Sequence, residues 1–126
     1  MKKSYQIWRG QEVPARADGN DGELVISDQL KEQYAKATGF FIVPFAANKK
    51  DLSPISLFLK IAGNEILPKG TDASIVTFNG NVERDKVVYD FSKDNIPARS
   101  SEFELVLSNS SSEAIKVNIY VVLENE

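Results

Sequence analysis

The 126 residues carry a formal net charge of −3, with 42% hydrophobic and 26% charged side chains and neither cysteine nor histidine. That length suits one domain with a single core, and the lack of a Lys and Arg surplus argues against broad nucleic-acid binding driven by overall charge, leaving a local basic patch open. Without thiol or imidazole there can be no disulfide, no thiolate or imidazole metal site, and no Ser–His or Cys–His hydrolase arrangement, so acid–base work would fall to Asp, Glu, Lys or Tyr.

At the start of the chain, Lys2-Lys3 leads into Ser4-Tyr5-Gln6 rather than an apolar stretch, which argues against a secretory signal. No apolar run approaches the roughly 18–20 residues of a membrane span, so the sequence predicts a protein made and kept in a cytoplasm. "SYQIWR" is a short strand candidate. Residues 1–22 as a whole hold Trp8, Val13 and Pro14 with little periodicity. They read as an extended N-terminal arm reaching onto a neighbouring subunit, ahead of a single domain over 23–126. Tyr5, Trp8, Arg9 and Val13 are the arm's candidate partner-binding residues. For Trp8 itself, packing at the core or a sheet edge is the preferred role, and anchoring a partner the alternative.

"ADGNDGEL", residues 17–24, concentrates Asp18, Asn20, Asp21 and Glu23 around two glycines. An EF-hand loop needs Asp at its first position, Gly at its sixth and Glu at its twelfth. Anchoring on Gly22 puts Ala17 first, and anchoring on Asp18 puts Gln29 twelfth, so neither register works. An irregular calcium site from those four residues is conceivable. The preferred reading is a polar turn in which Gly19 and Gly22 supply positive φ. It is also the hinge between arm and body.

"ELVIS" follows as a short strand. "SDQLKEQYAKATG" then changes character: good helix formers, Ser27 or Asp28 to cap the start, Gly39 to end it, and Leu30, Tyr34 and Ala37 on one stripe predict a short helix over 29–37. "GFFIVPFA" (39–46) is an apolar run of strand length that Pro44 assigns to an edge or a bulge. "ISLFLKIA" aligns Ile55, Leu57, Leu59 and Ile61. Gly63-Asn64 suits a type II′ hairpin turn into "EIL", and Pro68 confines that return strand to an edge. "ASIVTF" runs into Asn79-Gly80, a type I′ hairpin signal, and "KVVYDF" follows.

The alternation is clearest near the C-terminus. In "EFELVLS", Phe103, Leu105 and Leu107 share one face, opposite Glu102, Glu104 and Ser108. In "AIKVNIYVVLE", Ile115, Val117, Ile119, Val121 and Leu123 share a face, while Tyr120 and Val122 leave the other partly apolar and in need of a cover. Glu102 and Glu104 could in principle form a catalytic carboxylate pair, but carboxylates on the solvent face of an alternating strand ordinarily serve solubility. The Ser-rich loops carry no accompanying base. About eight strands with a turn signal roughly every ten residues predict an all-β fold, an antiparallel β-sandwich or a barrel.

The stretch "NIPARSSEFELVLSNSSSEAIKVNIYVVLENE" (95–126) resembles the closing strands of small β-sandwich virion proteins of bacteriophages, the single jelly-roll type included. The likeness lies in the Ile-Pro-Ala entry, the Ser-rich loop and the long strand that follows it. It implies a capsid, vertex or decoration role in a symmetric homo-oligomer, a trimer or pentamer, that meets other virion proteins and is assembled in a host cytoplasm. In that fold the last two strands lie in opposite sheets, so "SNSSSE" would have to arch between layers rather than close a hairpin, and five or six residues can do either.

Two functions follow from these readings: a non-enzymatic assembly protein with no cofactor, or a carbohydrate-binding module using Trp8 and Tyr120 as sugar platforms.

Overall fold

The structure, a computed structural model, describes residues 3–44, 52, 54–73 and 89–125. In chain order these form β1 (Lys3–Val13), β2 (Gly22–Gln29), β3 (Lys36–Pro44), β4 (Ile55–Ile61), β5 (Asn64–Asp72), β6 (Tyr89–Asp90), β7 (Ile96–Pro97), β8 (Glu102–Asn109) and β9 (Ile115–Glu124). A five-stranded sheet has the order β1-β9-β3-β6, with β7 also on β3, and a four-stranded sheet has the order β2-β8-β4-β5. Every pairing is antiparallel.

The pairing is nested. β1 pairs β9, β2 pairs β8, β3 pairs β6 and β7, and β4 pairs β5. The described strands therefore nest as one long hairpin, folded at the β4–β5 turn and rolled so that successive pairs fall in alternate sheets. β6 and β7 sit on the same edge of β3, on either side of a short 3-10 turn at Ser92–Asp94, and act as one interrupted strand. Among the described residues that leaves eight strand positions in two sheets, the jelly-roll arrangement. The Ser-rich loop after β8 is an arch, because β8 and β9 belong to opposite sheets.

The core lies between the layers and is built by the alternation seen in the sequence. Phe103, Leu105 and Leu107 of β8, Ile55, Leu57, Leu59 and Ile61 of β4, and Val117, Ile119, Val121 and Leu123 of β9 are all buried in one cluster. Burying each such side chain is worth about 1.5–3 kcal/mol, enough to settle which face of each strand turns inward. The opposite face of the five-stranded sheet carries a cluster of aromatics. Phe41 is fully buried outside the core cluster. Its ring stacks on Tyr120, with centroids 4.6 Å apart and planes 5° apart, and meets Tyr5 edge-on at 6.1 Å. Tyr120 is half-buried in this cluster on the outer face of β9, and Val122 on the same face is buried.

Four local expectations are corrected. No helix forms over 29–37: Gln29 ends β2, Lys36 begins β3, and turns join them. The amides there bond across the molecule instead of along a helix. Leu30 N–H donates to Ser101 O at 2.9 Å, Ala35 N–H to Glu124 O at 3.1 Å, and the Tyr34 carbonyl accepts from Arg99 N–H at 3.0 Å. A helix of nine residues is marginal without tertiary support, and these cross-chain bonds together with burial of Leu30 favour the turn.

Next, the N-terminal segment does not stand apart as an arm. Its residues Lys3–Val13 are β1, paired with β9 through most of their length. Third, β3 is interior rather than an edge, with β9 on one side and β6 and β7 on the other; Pro44 is tolerated as its last paired residue. The continuous apolar run of β3 follows from burial on both faces, Phe40 and Ile42 inward and Phe41 outward.

Last, the β4–β5 turn is centred one residue earlier than its composition suggests. Ala62 and Gly63 both have positive φ, 53° and 80°, and Ile61 pairs with Asn64. Positive φ at both central positions makes this a type I′ turn, the form whose twist matches a hairpin. Asn64 contributes its side-chain amide, which donates to Ala62 O at 3.2 Å. Pro68 does lie on an edge strand, β5. The "ASIVTF" strand beyond Ala73, the Asn79-Gly80 hairpin and the start of "KVVYDF" lie outside the described residues.

Candidate functional site

The predicted site residues are distributed between the two layers, mostly in packing roles. Trp8 extends from β1 over the edge of the core. Its indole lies parallel to Phe103 of β8, with centroids 4.4 Å apart and planes 11° apart, and its Nε1–H donates to Asp28 Oδ2 of β2 at 3.0 Å. Gln6, two residues earlier on the same face, donates from Nε2 to Gln29 O at 3.0 Å and accepts from Lys31 N–H at 2.9 Å. A side-chain amide here pairs with backbone as another strand would. Gln6 and Trp8 therefore tie the edge of one sheet to the edge of the other.

Val13 is fully buried, which removes it as a partner contact. Tyr5 is half-buried against Phe41 and Tyr120, and Arg9 alone of the four proposed contacts is exposed. A β-bulge between Trp8 and Gln11 explains the weak pattern in this strand. At the bulge, Gly10 N–H donates to Asn118 Oδ1 at 2.8 Å.

The acidic stretch at 17–24 is a miniature hairpin. Ala17 and Asn20 exchange two backbone hydrogen bonds of 2.9 Å around Asp18 and Gly19, which have φ of 52° and 79°. The cation next to its acids is Arg16, whose guanidinium pairs with Asp21 Oδ1 at 2.7 Å and donates to Gly19 O at 3.0 Å. Among the described residues, no three His, Cys, Asp or Glu side chains gather as a metal-binding group. Gly22 departs from the expected turn role. It is a close-approach glycine: a Cβ there would lie 1.8 Å from Pro14 O.

Asn109 carried no signal in the sequence beyond membership of a polar loop. It is fully buried. Its Nδ2 donates to Glu113 O at 2.8 Å and Pro14 O at 3.2 Å, and its Oδ1 accepts from Ser111 N–H at 2.9 Å. It holds the arch between the sheets and the segment after β1 at one end of the sandwich.

A concave feature among the described residues lies elsewhere, on the outer face of the four-stranded sheet. It is an open groove of about 600 Å³, within the range typical of small-ligand sites. Two rows of side chains make its floor. Phe58 and Val106 are neighbours in register, as are Ser56 and Ser108 in the next row. Glu23 flanks the hydroxyl row from β2, and Glu65 stands on the β5 side.

The β5 wall has a local cause. Leu59 faces Leu67 and Leu57 faces Thr71, so two extra residues bulge outward around Pro68–Gly70. Thr71 Oγ1 braces the bulge by donating to Pro68 O at 2.6 Å. Bulges at sheet edges re-aim side chains in this way. The signal available in the sequence was Phe58 itself, an aromatic out of phase with Ile55, Leu57, Leu59 and Ile61.

Comparison with protein-family models, with curated proteins and with solved structures finds no match. Among the described residues no helix is long and apolar enough to cross a membrane.

Proposed function

We propose that this chain is a non-enzymatic structural subunit of the capsid, vertex or decoration kind, working by assembly with copies of itself and with other virion proteins. The observation that supports the reading is the arch after β8, which puts β8 and β9 in opposite sheets. Within the resemblance of the last third of the chain to small phage β-sandwich proteins, the jelly-roll type calls for that arrangement. The inference runs from likeness of architecture, since the jelly roll serves capsid proteins, lectins and cupins alike.

The test is the mass of the purified protein by light scattering across a concentration series. A closed ring of three or five copies is the expected result. A strict monomer at high concentration, with no assembly on adding other virion components, would overturn the reading.

In the alternative reading, carbohydrate binding through Trp8 and Tyr120, each ring has one face stacked on another ring, Trp8 on Phe103 and Tyr120 on Phe41.

A further inference from the structure

We propose that the groove on the outer face of the four-stranded sheet is a binding site for a neutral saccharide, with Phe58 as its platform. This goes beyond the assembly reading and is independent of oligomeric state.

The floor alternates in chemistry across one sheet repeat. Phe58 and Val106, both half-buried, form an apolar row. Ser56 and Ser108, also half-buried, form a hydroxyl row two residues along the strands, about 6.6 Å away. A pyranose has the same division: a face of C–H groups and a rim of hydroxyls. Its C–H groups carry partial positive charge and are attracted to the negative face of an aromatic ring. Its hydroxyls both donate and accept, which matches serine hydroxyls beside carboxylates. Glu23 and Glu65 stand exposed at the rim as acceptors, and Lys69 on the bulge adds a donor.

Other occupants fit less well. Glu23 and Glu65 at the rim disfavour phosphate or uronate groups. A basic peptide would depend on exposed charge pairs, which contribute little. An extended strand would add to a sheet edge rather than lie across a face. The groove also differs from the stacked clusters at Trp8 and Tyr120 in having open volume in front of its aromatic ring.

The experiment is a glycan array carrying neutral and acidic oligosaccharides, followed by titration of the best neutral binder against the full chain and two variants. Phe58→Ala should weaken binding by about tenfold or more, the loss expected for one stacking contact. Glu65→Gln, an exposed change that leaves the core intact, should weaken it severalfold. Circular dichroism and thermal melting establish that both variants are folded, and raising the salt should leave affinity nearly unchanged. No neutral oligosaccharide bound at millimolar concentration, or affinity unchanged in both folded variants, overturns the proposal. Preference for lysine-rich peptides with affinity that collapses in salt also overturns it, in favour of a cationic-peptide site.

Discussion

The indole of Trp8 lies flat on the ring of Phe103, 4.4 Å away, and thereby joins the edge strand of one sheet to an interior strand of the other. Aromatic pairs of this kind contribute about 0.5–1.5 kcal/mol beyond the area they bury. The hydrogen bond from Trp8 to Asp28 adds a second link between the same two layers. Trp8→Ala should therefore destabilise the protein by about 2–4 kcal/mol, since the ring is partly rather than fully buried. In urea denaturation the midpoint should fall with little change in slope. A double-mutant cycle of Trp8→Phe with Asp28→Ala should give a coupling of about 1 kcal/mol for the hydrogen bond. An unchanged midpoint in Trp8→Ala would mean that the sheets are held together elsewhere.

Asn109 should be less replaceable than its place in a serine-rich loop suggests. Asn109→Ala leaves the Glu113 and Pro14 carbonyls and the Ser111 amide without their partner in a part-buried setting. The expected loss is about 2–4 kcal/mol. Hydrogen exchange should localise the added opening to the arch after β8 and the residues after β1.

The β4–β5 turn holds a removable strain. Ala62 occupies the left-handed region at φ 53°, which disfavours a residue bearing Cβ by about 1–2 kcal/mol. Asn tolerates that conformation, and Asn-Gly is the preferred pair for a type I′ turn. Ala62→Asn should stabilise the fold by about 0.5–1 kcal/mol, raising the melting temperature by a few degrees. Gly63→Ala, at φ 80°, should move it the other way.

The two glycines of "ADGNDGEL" should respond differently to the same change. Gly19→Ala meets nothing within 4 Å and suffers only from its φ of 79°, so a loss of about 1 kcal/mol is expected. Gly22→Ala would press a methyl into Pro14 O and should cost about 3 kcal/mol or more, because backbone has to move. Comparing the two denaturation midpoints checks the ranking.

Millimolar calcium should leave the melting temperature unchanged, because Arg16 already sits against Asp21. Removing that cation by Arg16→Ala should cost less than about 0.5 kcal/mol, since the pair is exposed. An upward shift with calcium, reversed by chelator, would restore the site that ligand spacing argued against.

The all-β class, the inward faces of β4, β8 and β9, and the edge position of Pro68 were legible because each depends on one strand's period and its turn residues. A strand with one buried face must alternate, and alternation survives in a single sequence. The interior place of β3 was less legible: burial on both sides erases alternation, and Pro44 at its end imitates an edge signal. The helix expected over 29–37 failed for a related reason. Its propensities were real, but its amides found partners at Ser101 and Glu124, far along the chain.

The site residues divide in the same way. Trp8 was noticed for its isolation, yet its stack on Phe103 spans 95 positions and two sheets, which no local pattern encodes. Asn109 looked like any polar loop residue until the arch enclosed it. Phe58 was visible as an aromatic out of phase, but a groove exists only where four strands lie side by side. Strand character and inward faces were thus set by short-range chemistry written along the chain. Which strands pair, which loop arches and which aromatic is left facing open space depend on contacts between residues remote in sequence, and those were decided only when the two sheets closed on one another.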